Sequence, residues 1–139
     1  MIDKLFVDSN ILIYAHDADA GAKQQRAADC LRDLWDSRRG RLSTQVLQEF
    51  YVNVTQKIKT PIAKPLARET VRNYAPWVQS LITPGTVVRA AEIAEIWRLS
   101  FWDSMILAAA EQSQAAQLLT EDLKHGEVIA GIGIVNPFL

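Results

Sequence analysis

The strongest constraint on this chain is a series of short apolar runs that stop at polar, turn-forming residues and alternate with longer stretches of helical spacing. Leu5-Phe6-Val7 ends at Asp8-Ser9-Asn10, and Ile11-Leu12-Ile13-Tyr14 then resumes the apolar pattern. Asp, Ser and Asn accept hydrogen bonds from the free N–H groups of a first helical turn, so this segment reads as a buried strand followed by a helix. Residues 117–120 and 132–135 read as further buried strands, and 41–43 and 77–79 as two short ones. Helices are expected over 23–38, stopped by Gly40, and from a Thr44 cap to about Ile58. Others are expected over 66–74, 87–99 and 102–114, with Pro61, Pro65 and Thr83-Pro84-Gly85 as breaks. The 102–114 segment is apolar on nearly every side, as a central buried helix would be. Strands alternating with helices imply an α/β fold in three α/β/α layers around a parallel sheet. In such sheets ligands bind beyond the carboxyl ends of the strands, near the reversal of strand order.

A chain of 139 residues fits one domain spanning 1–139. With 49% hydrophobic and 22% charged residues, the composition is that of an ordinary globular protein and excludes the disordered and fibrous classes. The apolar run 105–110 is too short to cross a bilayer, and the first residues lack a signal-peptide pattern, so a cytoplasmic, membrane-free protein is expected. Cys30 is the only cysteine, which rules out an internal disulfide and a cysteine-based zinc site. His16 and His125 are isolated and are read as surface or loop residues rather than ligands. A net charge of −1 offers no overall basic surplus for nucleic acid. Local patches would have to serve: Arg38, Arg39 and Arg41, or Lys57, Lys59, Lys64, Arg68 and Arg72, each of which also reads as a solvated helix charge.

Three acids fall where the expected sheet presents its ligand edge. Asp8 follows the first strand, with helix capping as its alternative role; Asp122 follows Thr120 at the end of another strand, with turn formation as its alternative. Asp103 lies in the first turn of the buried helix, where Ser100-Phe101-Trp102-Asp103 also fits a capping box. Glu49 falls away from the centre of its helix's apolar stripe, and periodicity alone makes it a surface residue. Carboxylates gathered without neutralisation raise one another's pKa, so such a cluster requires a cation. All-oxygen ligands select Mg²⁺ or Mn²⁺, which suits phosphodiester chemistry.

Val7-Asp8-Ser9-Asn10-Ile11-Leu12-Ile13-Tyr14, Gln48-Glu49-Phe50, Phe101-Trp102-Asp103-Ser104-Met105-Ile106 and Leu119-Thr120-Glu121-Asp122-Leu123, in that order, resemble the PIN-domain family, most closely its VapC-type toxins. The ending Ile134-Val135-Asn136-Pro137-Phe138 extends the resemblance over nearly the whole chain. It implies a Mg²⁺- or Mn²⁺-dependent endoribonuclease acting on RNA, a homodimer, and a cognate antitoxin. Asp8, Asp103, Glu49 and Asp122 match the family's metal-binding acids, Thr120 a hydroxyl neighbour, and Asn10 a residue that helps hold Asp8. For Glu49 the resemblance overrides the surface reading. Residues 57–84 match no motif and are the candidate region for substrate choice.

Rival functions are weighed on the same residues. An aspartate-based phosphatase needs a second Asp two residues after the first, and Asn10 stands there; a phosphate-binding Gly-rich loop is also missing. A catalytically silent module that binds RNA or protein remains the main alternative. Trp102 is read as a packing residue, with stacking on a base as the other possibility.

Overall fold

The computed structural model describes residues 3–139. Strand β1 (Leu5–Val7) lies inside a five-stranded sheet ordered β2-β1-β3-β5-β4, with β2 at Gly40–Arg41, β3 at Gln117–Leu119, β4 at Val128–Ile129 and β5 at Ile132–Val135. All neighbours pair in parallel except β4, which runs antiparallel to β5. Paired on both edges, β1 places Phe6 and Val7 wholly in the core, which explains its unbroken apolar run. Among the described residues six α-helices complete the three-layer α/β/α fold: α1 (Ser9–Ala15), α2 (Ala22–Ser37), α3 (Thr44–Val52), α4 (Lys64–Tyr74), α5 (Pro84–Trp97) and α6 (Phe101–Gln112). Helix α6 is buried continuously from Ser104 to Ala110, as its all-round apolarity requires. Among the described residues no helix is long and apolar enough to cross a membrane.

Several local expectations change. No strand forms at residues 77–79: Ala75–Trp77 is one 3₁₀ turn, and the Trp77 carbonyl accepts a single bond from Leu42 N at 3.0 Å. Pro76 has no N–H to give a ladder, and the Trp77 ring is buried. Gly40 does not end α2; Arg38 takes the left-handed cap conformation (φ 60°), and Gly40 lies in β2, pressed against the Trp77 ring. Ser43, not Thr44, caps α3, and the α-helix gives way to a π-helical turn at Asn53–Lys57. Pro65 and Pro84 do not interrupt but open helices α4 and α5, where a missing N–H costs nothing. His16 is half-buried at the end of α1, its Nε2 3.3 Å from the Tyr74 hydroxyl and its ring against Phe50. His125 is exposed, as expected.

A candidate metal and catalytic site

The strand order reverses between β1 and β3, so the carboxyl ends of these two strands form the crevice where ligands are expected. Their register pairs Val7 with Leu119, which makes Asp8 and Thr120 the next residues on adjoining strands. Thr120 Oγ1 donates to Asp8 Oδ2 at 2.8 Å, and Ser9 N donates to Asp8 Oδ1 at 2.7 Å. The same Thr120 oxygen accepts from Asn10 Nδ2 at 3.3 Å and from Asp122 N at 3.1 Å. Asn10 Nδ2 also donates to Asp122 Oδ2 at 3.0 Å. Asn10 therefore holds Asp122 directly and reaches Asp8 only through Thr120.

Helices α3 and α6 bring the other two acids. Ser100 caps α6 by accepting from Asp103 N at 3.1 Å, while Gln45 Nε2 donates to the Trp102 carbonyl at 3.4 Å and ties α3 to the start of α6. Glu49 follows Gln45 by one turn of α3 and is half-buried facing this junction, not on a solvated surface. Its pKa is raised by burial, and by the charges of Asp103 and Asp122, with Ser9 and Gln45 partly offsetting the effect. Asp8 is pushed up to about 6, chiefly by burial; the Thr120 and Ser9 hydrogen bonds lower it, and Asp122 and Glu49 raise it. The four sequence-derived acids thus share one crevice with Thr120.

Whether a cation fits can be judged from unused oxygens. Glu49 Oε1, Gln45 Oε1 and Asn10 Oδ1 are buried and accept no hydrogen bond. Such atoms normally find a partner, and here all three are acceptors. The salt bridges among the described residues involve Glu121, Asp29, Glu69 and Glu111, and none of them neutralises Asp8, Glu49, Asp103 or Asp122. Unneutralised hard oxygens suit Mg²⁺ or Mn²⁺. Among the described residues no three His, Cys, Asp or Glu side chains are already drawn together around one point. Mg²⁺ commonly takes only one or two carboxylates and completes its shell with water and phosphate oxygens, so the looser arrangement still accommodates it. A groove of about 650 Å³ between α3 and α4 is lined by Leu47, Tyr51, Val71, Arg68 and Arg72 but by none of the acids, and the open acidic crevice is the better candidate for chemistry.

The PIN-domain family model matches residues 5–129. The chain belongs to the PIN-domain family. No curated protein sequence matches it. Among solved structures, the PIN chain is similar to one from a toxin–antitoxin complex of Klebsiella pneumoniae, at 22% identity and a TM-score of 0.66, covering 96% of this chain and 97% of that one. It is similar to VapC20 of Mycobacterium tuberculosis, described as a sarcin-ricin-loop-cleaving toxin, at 18% identity and a TM-score of 0.61, over 86% and 90% of the two chains. It also resembles a chain of VapBC2 from Rickettsia felis bound to a promoter DNA fragment, at 16% identity and a TM-score of 0.60, over 94% and 96%. At these identities the likeness shows the fold.

This PIN domain also holds its crevice with residues that sequence reasoning passed over. The Tyr14 hydroxyl donates to Glu121 Oε1, and Lys23 Nζ lies 2.8 Å from Glu121 Oε2. Lys23 also sits 4.8 Å above the Tyr14 ring and 5.3 Å from the Phe138 ring centroid. Helices α1 and α2 thereby grip the residue immediately before Asp122. The available signal was Tyr14 one helical turn after Asn10, on the same side of α1.

Thr120→Val tests the joint between the strands. The valine is nearly isosteric but leaves Asp8 Oδ2, Asn10 Nδ2 and Asp122 N without this partner. A loss of about 1–3 kcal/mol is expected from buried groups left unpaired, read as a lower urea midpoint. An unchanged midpoint would show that Thr120 does not organise the crevice.

Proposed function

We propose that this PIN domain is a Mg²⁺- or Mn²⁺-dependent endoribonuclease, the toxin component of a toxin–antitoxin pair. The observation that carries the reading is the set of unneutralised acids around the β1/β3 switch point, with a buried Glu49 oxygen that nothing satisfies. Asp8, Glu49, Asp103 and Asp122 would hold the cation. When bound, it would supply Lewis acidity to phosphodiester oxygens and ease ionisation of the attacking water. Thr120 orients Asp8 and, with Asn10, keeps Asp122 turned toward the crevice.

The toxin assignment is supported by the structural neighbours, of which one comes from a toxin–antitoxin complex and another is described as cleaving the sarcin-ricin loop. In this reading a cognate antitoxin silences the enzyme by inserting an Arg or Lys into the acidic crevice. The toxin acts in the cytoplasm as a homodimer.

The test is cleavage of total cellular RNA by purified protein with Mg²⁺, with Mn²⁺ and with chelator, alongside folded Glu49→Gln and Asp103→Asn variants. Metal-dependent cutting lost in both variants is the expected result. No cutting in either metal, or cutting that survives both substitutions, would contradict it and favour a non-catalytic binding module. Full activity in a saturating complex with the antitoxin would contradict the silencing mechanism.

A further inference from the structure

The corner between α5 and α6 presents aromatic rings and a cation to water beside the acidic crevice. Trp97 and Phe101 are each 37% exposed and Trp102 is 65% exposed. Arg98, between them in sequence, is exposed and holds a left-handed backbone conformation (φ 54°) that closes α5. A tryptophan with most of its surface in water contributes little to the core, which overturns the expectation that Trp102 packs. Phe101 meets the indole edge to face, with centroids 5.2 Å apart and planes at 78°, and the Trp102 backbone carbonyl accepts from Gln45 Nε2, which ties down the main chain beneath the ring. The next residue is Asp103, one of the acids of the crevice.

We propose that Trp102 is a stacking platform for an unpaired nucleobase beside the phosphodiester held at the acids. Phe101 braces the indole, and Arg98 supplies a cation for the neighbouring phosphate. The proposal rests on the ribonuclease reading and deepens it by naming a residue that positions an unpaired base of the RNA at that same site. Bases in a duplex are stacked on one another and cannot offer a face to the indole, whereas unstacked bases use aromatic and guanidinium surfaces in this way. A nucleobase is favoured over a protein face by the cation in the same corner and by the place of Asp103 among the acids, where a backbone phosphate must come.

The experiment measures binding of fluorescent 12-nucleotide oligouridylate and oligoadenylate, and of a duplex of equal length, in Mg²⁺. An Asp8→Asn background prevents cutting, and Trp102→Ala, Trp102→Tyr and Arg98→Gln are compared within it. Trp102→Ala is expected to weaken single-strand binding about tenfold or more, and Trp102→Tyr to restore most of it. Arg98→Gln should lower the salt slope by about one. Duplex binding, melting temperature and mass by light scattering should not respond to Trp102→Ala. Single-strand binding unchanged by Trp102→Ala would overturn the proposal, as would a change of mass with binding per chain unaltered, which would make the corner a protein interface. Wild-type cutting of total RNA alongside either result would leave the nuclease reading standing. Trp102-dependent binding without any wild-type cutting would support the platform and sink the nuclease reading.

Discussion

Asp8→Asn is expected to abolish RNA cleavage while raising the melting temperature of the metal-free protein. The two effects share one cause. Asp8 is 6% exposed, and burial beside Asp122 and Glu49 lifts its pKa from 3.8 to about 6. The folded state therefore binds more protons than the unfolded state between these values, and stability falls as pH rises through that window. Above about pH 6 the full cost of the ionised carboxylate is present, on the order of 3 kcal/mol. Asparagine removes the charge; its Oδ1 can still accept from Ser9 N, while the Thr120 hydroxyl, which already accepts from Asn10 Nδ2 and Asp122 N, loses its acceptor, so one local bond is given up. A gain of about 1–3 kcal/mol, several degrees in melting temperature, follows at pH 7.5 without metal. A divalent cation stabilises the ionised form, so saturating Mg²⁺ should shrink or reverse the difference. Activity should fall by more than about 100-fold, since losses of that size follow even from changes outside the metal's own ligands. Thermal melts with and without Mg²⁺ check the first part; an Asp8→Asn protein less stable than the parent in chelator would refute it.

Gly40→Ala is expected to destabilise the fold without touching the crevice. A Cβ at this position would lie 2.6 to 2.8 Å from three carbons of the Trp77 ring. The ring cannot swing aside easily, because Trp35 and Tyr74 pack on it at 5.6 and 5.4 Å and the Trp77 carbonyl is bonded to Leu42 N. Either β2 must leave its register with β1 or the aromatic cluster must repack. Overpacking of this kind costs about 1–3 kcal/mol, with Gly40→Val at or beyond the upper end. Equilibrium urea unfolding measures it, and a Gly40→Ala protein with the parent's midpoint would show that the cluster yields freely.

The close approach of Gly40 also marks where sequence reading runs out. As the first small residue after a helical pattern it looked like a helix stop, because a glycine needed for its lack of Cβ looks the same in sequence as one needed for its backbone freedom. The central strands were legible: β1 and β3 end in consecutive buried apolar residues, Phe6-Val7 and Leu118-Leu119, and β5 buries Ile132 and Ile134 on one face while Gly133 and Val135 are half-buried. Strand β4 was not. It joins β5 through Ala130-Gly131, both at positive φ (53° and 80°), a two-residue hairpin turn without the Asn-Gly or Asp-Gly signal that usually announces one. Asp8, Asp122 and Thr120 were readable as a group because strand ends share one edge. Glu49 was not readable from periodicity, since a helix face lining an open crevice and one facing bulk water are equally polar. The hydrogen bonds of Asn10 to Asp122 and of Tyr14 to Glu121 span more than a hundred residues and depend on register.

Mn²⁺ binding followed by electron paramagnetic resonance tests, without requiring a substrate, whether Asp8, Glu49, Asp103 and Asp122 hold a divalent cation. The free Mn²⁺ signal should diminish on titration with the wild-type protein and reappear when Mg²⁺ competes. Asp8→Asn, Asp103→Asn and Glu49→Gln should each weaken binding, while Glu95→Gln, an exposed acid on the last turn of α5, should not. Wild-type protein that leaves the Mn²⁺ signal untouched, or binding that all three crevice variants retain, would contradict the account.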